Sequence, residues 1–337
     1  MNMKDYANLT LRGKAQRLRK MALKALEDYD LDVKKVSLIT NDQNGIFRVD
    51  TNSKRQYVLR VCLPDGGHTI EEINSEMMLL NALQRDPDIN APVPLATKSG
   101  QWVTTVEMDG VPQARQCVVF SWVPGVDLAD RRSPANWCKF GALSARLHRF
   151  AAAFTPPENF CINTYDSVFP FNEVCVLFDD EYRQHFSTEE LDLLKLALDR
   201  VQAEIDHLYH ENKGGLRVIH GDLHQWNVRI ARGKLSPIDF EDLFWAYPVQ
   251  DIATTLYYSR FDDRHEPLLA AFKQGYETIL PFPEEHPGQL ETHMLARRLN
   301  LLNYVFAAEE LDIAQYPNFI PVTLERIRWV QQHIWDN

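Results

Sequence analysis

The chain has 337 residues, 45% of them hydrophobic and 25% charged, which is ordinary for a soluble globular enzyme and long enough for two lobes. A net charge of −11 argues against a nucleic-acid partner, which needs a basic face, and leaves cationic substrates compatible. Met1 to Arg12 lacks the apolar core of a secretory signal and no apolar run is long enough to span a bilayer, so the expected location is cytoplasmic, without membrane contact. Cys62, Cys117, Cys138, Cys161 and Cys175 are odd in number and have no metal-ligand spacing, as expected of reduced, mostly packed thiols.

In chain order, Lys14 to Leu31 is amphipathic at helical spacing through Leu18, Met21, Leu23, Leu26 and Tyr29. Two strands follow, Ile46 to Val49 and Tyr57 to Cys62, flanking a turn at Asn52-Ser53-Lys54, with Asn44-Gly45 turning the chain before the first. Arg60 alternates on one strand face with Val58 and Cys62, so its charge is partly desolvated and needs an anionic partner. The helix predicted over Ile70 to Leu83 offers Glu76 beside the apolar stripe of Ile73, Met77 and Leu80; Glu72, one turn earlier, is the alternative. Cys117 to Val123 is a strand that runs into a Pro124-Gly125 break, as at a connection between lobes.

Trp137 to Phe150 is helical, with Leu143, Leu147 and Phe150 recurring and His148 read as packing. Ser187-Thr188-Glu189-Glu190 is a capping box that opens a helix over Leu191 to Tyr209. Further apolar-periodic segments run over Met294 to Phe306 and Val322 to Ile334, while Phe154 to Pro157 and Leu280 to Gly288 are loops.

The chemistry concentrates in Val218-Ile219-His220-Gly221-Asp222-Leu223-His224-Gln225-Trp226-Asn227 and Pro237-Ile238-Asp239-Phe240-Glu241-Asp242. Phosphoryl transfer needs a carboxylate to orient the attacking hydroxyl and accept its proton, and oxygen ligands for the magnesium that screens the nucleotide phosphates. Asp222 and Asn227 have the Asp-to-Asn spacing of a kinase catalytic loop, and Asp239, at the end of a short strand one hairpin later, is the second metal ligand. His220, after two β-branched residues, reads as buried and loop-shaping. A His-Asp-His set also raises zinc, but an Asn and a second Asp favour magnesium, with His224 near the metal or phosphates. Asp242 reads as an orienting carboxylate; Glu241 is as well explained by solvation, and Asp251 by a helix start.

These motifs, with Pro248-Val249-Gln250-Asp251-Ile252-Ala253, resemble the aminoglycoside phosphotransferase and choline kinase family of protein-kinase-like enzymes, in which Gly replaces the kinase Arg to give His-Gly-Asp. The resemblance covers the chain from the first strands to the Asp251 helix. It implies an α+β, bilobal protein-kinase-like fold: a small antiparallel-sheet lobe over residues 1–120 that binds nucleotide, and a mainly helical catalytic and substrate lobe over 121–337.

It further implies Asp222 as base, Asn227 and Asp239 on Mg2+, Arg60 supported by Glu76 on the ATP phosphates, and main-chain groups of Ser121, Trp122 and Val123 on the base edge. Arg60 departs from the lysine of better-known members, and Asn41-Asp42-Gln43-Asn44-Gly45 has one glycine where a protein kinase has several, so a plain hairpin turn explains it as well. The implied acceptor is a small-molecule hydroxyl, with an amino alcohol, a homoserine-like compound or an aminoglycoside in view. Trp226, Trp245, Tyr247, Tyr257 and Tyr258, with Asp262 and Asp263, either receive its ammonium group or are core. The rival readings are a protein Ser/Thr kinase, opposed by the absence of an Ala-Pro-Glu segment, and a nucleotide-binding pseudokinase acting as an interaction module.

Overall fold

The computed structural model describes residues 5–41, 44–64, 67–211, 215–261, 263–308, 311 and 313–336. Two compact units emerge: Met1–Val126 with Thr155–Ile162 and Arg229–Glu241, and Asp127–Phe154 with Asn163–Val228 and Asp242–Asn337. The changeover follows Val126, whereas a border after residue 120 falls inside a strand.

In the first unit, helix α1 (Leu11–Ala25) is N-capped by Thr10, whose hydroxyl accepts from the Gly13 N–H at 3.2 Å. It stops earlier than its apolar spacing predicts. Residues 28–32 alternate Asp with Tyr and Leu, Asp being a poor helix former, and the Tyr29 hydroxyl instead donates to the Trp102 carbonyl at 2.9 Å. Strands β1 (Val33–Asn41), β2 (Gly45–Thr51), β3 (Gln56–Val61), β4 (Val103–Val106) and β5 (Arg115–Ser121) form an antiparallel sheet in the order β1-β2-β3-β5-β4, and helix α2 (Ile70–Leu83) lies between β3 and β4 in sequence. Strand alternation divides the sheet residues between two jobs. Phe47, Val49, Leu59, Val61, Cys117 and Val119 join Leu18, Met21 and Leu26 in one core, while Ile46, Arg48, Val58, Arg60 and Phe120 point the other way. Leu23, expected on the buried stripe, is exposed.

Strand β6 (Val126–Asp127) precedes the helices of the second unit: α3 (Pro134–Ala153), and after strand β7 (Asn163–Thr164) the one-turn α4 (Asp180–Arg183) and the long α5 (Thr188–Glu211). The expected capping box is formed at α5: Ser187 Oγ accepts from the Glu190 N–H and Glu190 Oε2 from the Ser187 N–H. Strand β8 (Arg217–Ile219) leads into the His220 loop, and the chain then supplies a hairpin, β9 (Val228–Ala231) and β10 (Lys234–Pro237). Strand β11 (Phe244–Ala246) pairs antiparallel with β8, setting Phe244 opposite Ile219. Helices α6 (Pro248–Tyr257), α7 (His265–Glu277), α8 (Gln289–Ala307) and α9 (Phe319–Val330) complete the unit, and Leu295, Leu299 and Leu302 of α8 share a core with Val201 and Ile205 of α5 and Ile327 of α9. Helix α9 starts three residues before the predicted Val322 because Pro321, which would interrupt a helix interior, sits in its first turn. Among the described residues no helix is long and apolar enough to cross a membrane.

Helices α3 and α7 approach through glycines. A Cβ on Gly275 would lie 1.7 Å from the Cys138 carbonyl oxygen, and one on Gly141 would lie 2.0 Å from that of Phe272. Both neighbours are backbone and cannot swing aside, so Gly275→Ala is expected to destabilise the second unit by about 1–3 kcal/mol, read as a lowered urea midpoint at unchanged m-value.

Candidate active site

In the second unit β8 delivers a loop held by its main chain. Gly221 has φ of 78°, and a Cβ there would sit 1.9 Å from the Asp242 carbonyl oxygen, so the glycine answers both to a left-handed backbone and to a close approach. Its N–H donates to Asp251 Oδ1 at 2.9 Å, and Asp251 Oδ2 lies 2.8 Å from His148 Nε2, whose Nδ1 lies 2.9 Å from the Tyr276 hydroxyl. Burial pushes the Asp251 carboxyl up, but the hydrogen bond and charge of His148, with His220 and the Gly221 N–H, more than offset it and hold the group below its ordinary value. Asp251, expected as a helix-start carboxylate, and His148, expected as packing, therefore anchor the loop. Buried His220 accepts from the Asp222 N–H at 3.4 Å through Nδ1.

The Asp222 carboxylate is met from several sides. Oδ1 accepts from Arg297 Nη2 at 2.8 Å; Oδ2 accepts from Asn227 Nδ2 at 3.2 Å and lies 3.4 Å from His224 Nε2. Asn227 Nδ2 also donates to the Asp222 carbonyl at 3.0 Å, which turns its own Oδ1, a hard oxygen donor, away from that carboxylate. Burial, with the charge of Arg297, brings the His224 imidazole down to about 4, so the ring is neutral near pH 7. Its Nδ1 accepts from the Asn227 N–H at 3.2 Å and its Nε2 faces Asp222, so both nitrogens serve the loop.

Arg297 escaped the sequence reading. The signal was an Arg297-Arg298 pair in an apolar-periodic helix, where a guanidinium on the buried side demands an anion. The expected aromatic set divides: Tyr247 and Tyr257 are core, whereas Trp226, 46% exposed, and Tyr258 pack edge to face at 5.3 Å beside His224. Asp263 is exposed, and Asp262 lies outside the described residues.

The first unit contains a cavity of about 690 Å³ lined by Ile46, Val58, Arg60, Glu76, Leu80 and Phe120, by Ser121, Trp122 and Val123, and by Ile238, Asp239 and Phe240. Arg60, 3% exposed, lies fork to fork on Glu76: Nη1 donates to Oε1 at 3.2 Å and Nη2 pairs with Oε2. Glu72, the alternative partner, instead closes the Thr69 capping box of α2. Glu241 Oε2 also lies 3.2 Å from Arg60 Nη1 and accepts from Asn44 Nδ2 at 2.7 Å, so the carboxylate that the sequence left to solvent is engaged. Burial opposes the Arg60 charge, and Glu76, Cys62 and Glu241 more than offset it, raising the guanidinium above its ordinary value.

Asp239 has φ of 66°, a left-handed conformation uncommon outside glycine and found preferentially at functional positions. At the rim of β5, the Ser121 N–H donates to the Val93 carbonyl at 2.9 Å and the Trp122 N–H to that of Gln56 at 3.2 Å, which engages two of the three expected base-edge donors. Asp42 and Gln43 of the expected phosphate loop lie outside the described residues. Asn227 belongs to the second unit and Asp239 to the first. Among the described residues no three or more His, Cys, Asp and Glu side chains gather as a metal cluster.

Residues 35–290 match the phosphotransferase enzyme family. The chain belongs to that family. No curated protein sequence matches this phosphotransferase. Among solved structures, it is similar to a microcompartment-associated aminopropanol kinase (22% identity, TM-score 0.70, 92% of this chain and 94% of the other). It is also similar to an amicoumacin kinase (15%, 0.74, 93% and 92%) and an aminoglycoside phosphotransferase (14%, 0.64, 94% and 98%). The expected α+β protein-kinase-like fold, with an antiparallel sheet followed by a mainly helical part, is thereby established.

Asp251 leads to a measurable consequence. Its folded pKa lies below the ordinary value, so its stabilisation is complete above about pH 4 and is lost as pH falls from there through the folded pKa. Asp251→Asn leaves His148 and the Gly221 N–H without their anion and is expected to cost about 3–5 kcal/mol at pH 7. The penalty shrinks as the parent is acidified below about pH 4, read from denaturant midpoints across pH.

Proposed function

We propose that this phosphotransferase is an ATP- and magnesium-dependent kinase that phosphorylates a hydroxyl of a small molecule bearing an ammonium group: an amino alcohol, a homoserine-like compound or an aminoglycoside. The observation that carries the reading is the first-unit cavity. Its volume suits a nucleotide, and its wall combines an apolar slot, the Ser121–Val123 main chain, a carboxylate-held Arg60 and Asp239. Residues 1–120 supply most of this nucleotide lobe and 121–337 the catalytic and acceptor lobe.

In this reading Arg60, supported by Glu76, binds the ATP phosphates, and the base edge meets Ser121, Trp122 and Val123. With the first two N–H groups engaged in the sheet, the donor to the base is Val123. Asn227 and Asp239 hold magnesium, which when bound neutralises charge on the phosphates. The fit rests on their chemistry: an amide oxygen and a carboxylate are hard donors, and magnesium takes one or two carboxylates with substrate phosphates and water.

Asp222 orients the acceptor hydroxyl. As the bond from its oxygen to the γ-phosphorus forms and that to the bridging oxygen breaks, the hydroxyl proton passes to the Asp222 carboxylate and ADP leaves. The exposed Trp226 with Tyr258 supports an ammonium-bearing acceptor through cation–π attraction. Relatives of the same fold add support: an aminopropanol kinase, and an amicoumacin kinase solved with AMP-PNP and Ca2+. A protein substrate is disfavoured because β11 and the start of α6 take up the chain between Asp242 and Asp251, leaving little for a peptide-docking segment.

Thermal shift with ATP, Mg·ATP and Mg·GTP, followed by ADP release over 1-amino-2-propanol, homoserine and kanamycin, tests the assignment. Magnesium-dependent stabilisation and acceptor-stimulated ADP release are expected. Asp222→Asn should lose about 10²–10⁴-fold in kcat while keeping the Mg·ATP shift, and Asp239→Ala should lose the metal-dependent part of that shift. Stabilisation without turnover would favour a pseudokinase, and no response to nucleotide would end the kinase reading.

A further inference from the structure

We infer that Arg297 is a positioning residue of the active site: it fixes Asp222 Oδ1 so that Oδ2 is the oxygen presented to the acceptor hydroxyl. The inference rests on Asp222 being the base, and goes beyond that reading by assigning a function to α8.

The two carboxylate oxygens are not equivalent. Oδ1 takes a charge-assisted bond of 2.8 Å from a permanently charged guanidinium. Oδ2 has its donors at longer range, the Asn227 amide at 3.2 Å and the His224 Nε2 at 3.4 Å. A carboxylate oxygen already committed to Arg is a poor proton acceptor, which leaves Oδ2 for the substrate. The loop is thus gripped twice within the second unit, its main chain by Asp251 of α6 and its base by Arg297 of α8.

Arg297 is itself held. Burial opposes its charge, and Asp222, Tyr258 and Tyr165 more than offset this and raise the guanidinium above its ordinary value. The adjacent arginine does a different job: Arg298 bonds the Tyr257 hydroxyl at 2.9 Å, Thr323 Oγ1 at 2.7 Å and the Phe319 carbonyl at 2.6 Å, and lies over the Phe319 ring. One of the pair fastens α8 to α9 and the other reaches the base. In phosphoryl transfer, where the protein contributes chiefly placement and charge, a misplaced carboxylate is expensive.

The test is a double-mutant cycle on ADP release from Mg·ATP, with 1-amino-2-propanol, homoserine or kanamycin as acceptor and with water as the reference acceptor. Arg297→Gln should lower kcat about 100-fold and leave the Mg·ATP thermal shift unchanged. Arg297→Lys should recover part of the loss, and added guanidinium should partly restore Arg297→Ala. Because the residue acts through the base, Arg297→Gln with Asp222→Asn should be no slower than Asp222→Asn alone. Retention of kcat within threefold, losses that multiply in the double variant, or loss of the nucleotide shift in both Arg297→Gln and Arg297→Lys would each overturn the assignment. A parent that binds Mg·ATP but releases ADP with no acceptor would defeat the kinase reading first, and this one with it; an active parent with an indifferent Arg297 defeats only this one.

Discussion

A buried carboxylate with two donors governs the second unit. Asp251 is 1% exposed yet stays ionised because His148 and the Gly221 N–H meet its two oxygens. An ion at that depth tolerates little movement of its partners, since any lengthening exposes it to the full cost of desolvation. It therefore ties α3, which carries His148, and α6, which carries Asp251, to the turn before Asp222. Gly221 makes the turn possible: only a residue without a Cβ fits against the Asp242 carbonyl at positive φ. The fixed backbone is what gives meaning to the side-chain contacts one residue later.

The first unit solves a similar problem with a sheet. Period-two alternation lets β2, β3 and β5 bury Phe47, Leu59 and Val119 on one face while turning Ile46, Arg60 and Phe120 toward the cavity on the other. A charge on a largely apolar wall needs its counter-ions close, and Glu76 from α2 and Glu241 from the segment after Asp239 supply them. In both units the buried ion pair contributes orientation more than net stability, because its Coulombic gain is largely spent on desolvation.

What was legible in the sequence depended on range. Asp222, Asn227 and Asp239 were expected as site residues from local spacing, and α2 could be read to the residue because its apolar stripe is a local signal. Glu76 was favoured over Glu72 for its place beside that stripe, and the structure gives Glu72 a reason of its own in the Thr69 capping box. Strand β1 passed unseen because it is an edge strand with Lys34 and Lys35 exposed and only Val36 buried, so it lacks alternation. Glu241 and Arg297 were illegible for another reason. Their partners lie far away in sequence, and no periodicity records which anion a guanidinium will meet. Burial likewise divided what composition had grouped: Tyr247 and Tyr257 went to the core while Trp226 stayed exposed, and of the thiols expected to be mostly packed Cys161 is the exposed one.

The arginine at position 60, a departure from the lysine of better-known relatives, follows from the second carboxylate. A lysine ammonium is a compact point charge and can satisfy one glutamate, but it cannot lie flat across both oxygens of Glu76 and still offer an N–H toward Glu241. Arg60 does both, with Nη1 shared at 3.2 Å between Glu76 Oε1 and Glu241 Oε2. That geometry joins α2 to the segment carrying Asp239 through one planar group, so that the cation and the carboxylate two residues before Glu241 keep a fixed relation. The same property explains why a guanidinium suits Asp222. Where a carboxylate must be held by one oxygen and left available at the other, a rigid fork with directional donors specifies which oxygen is which, and a freely rotating ammonium does not.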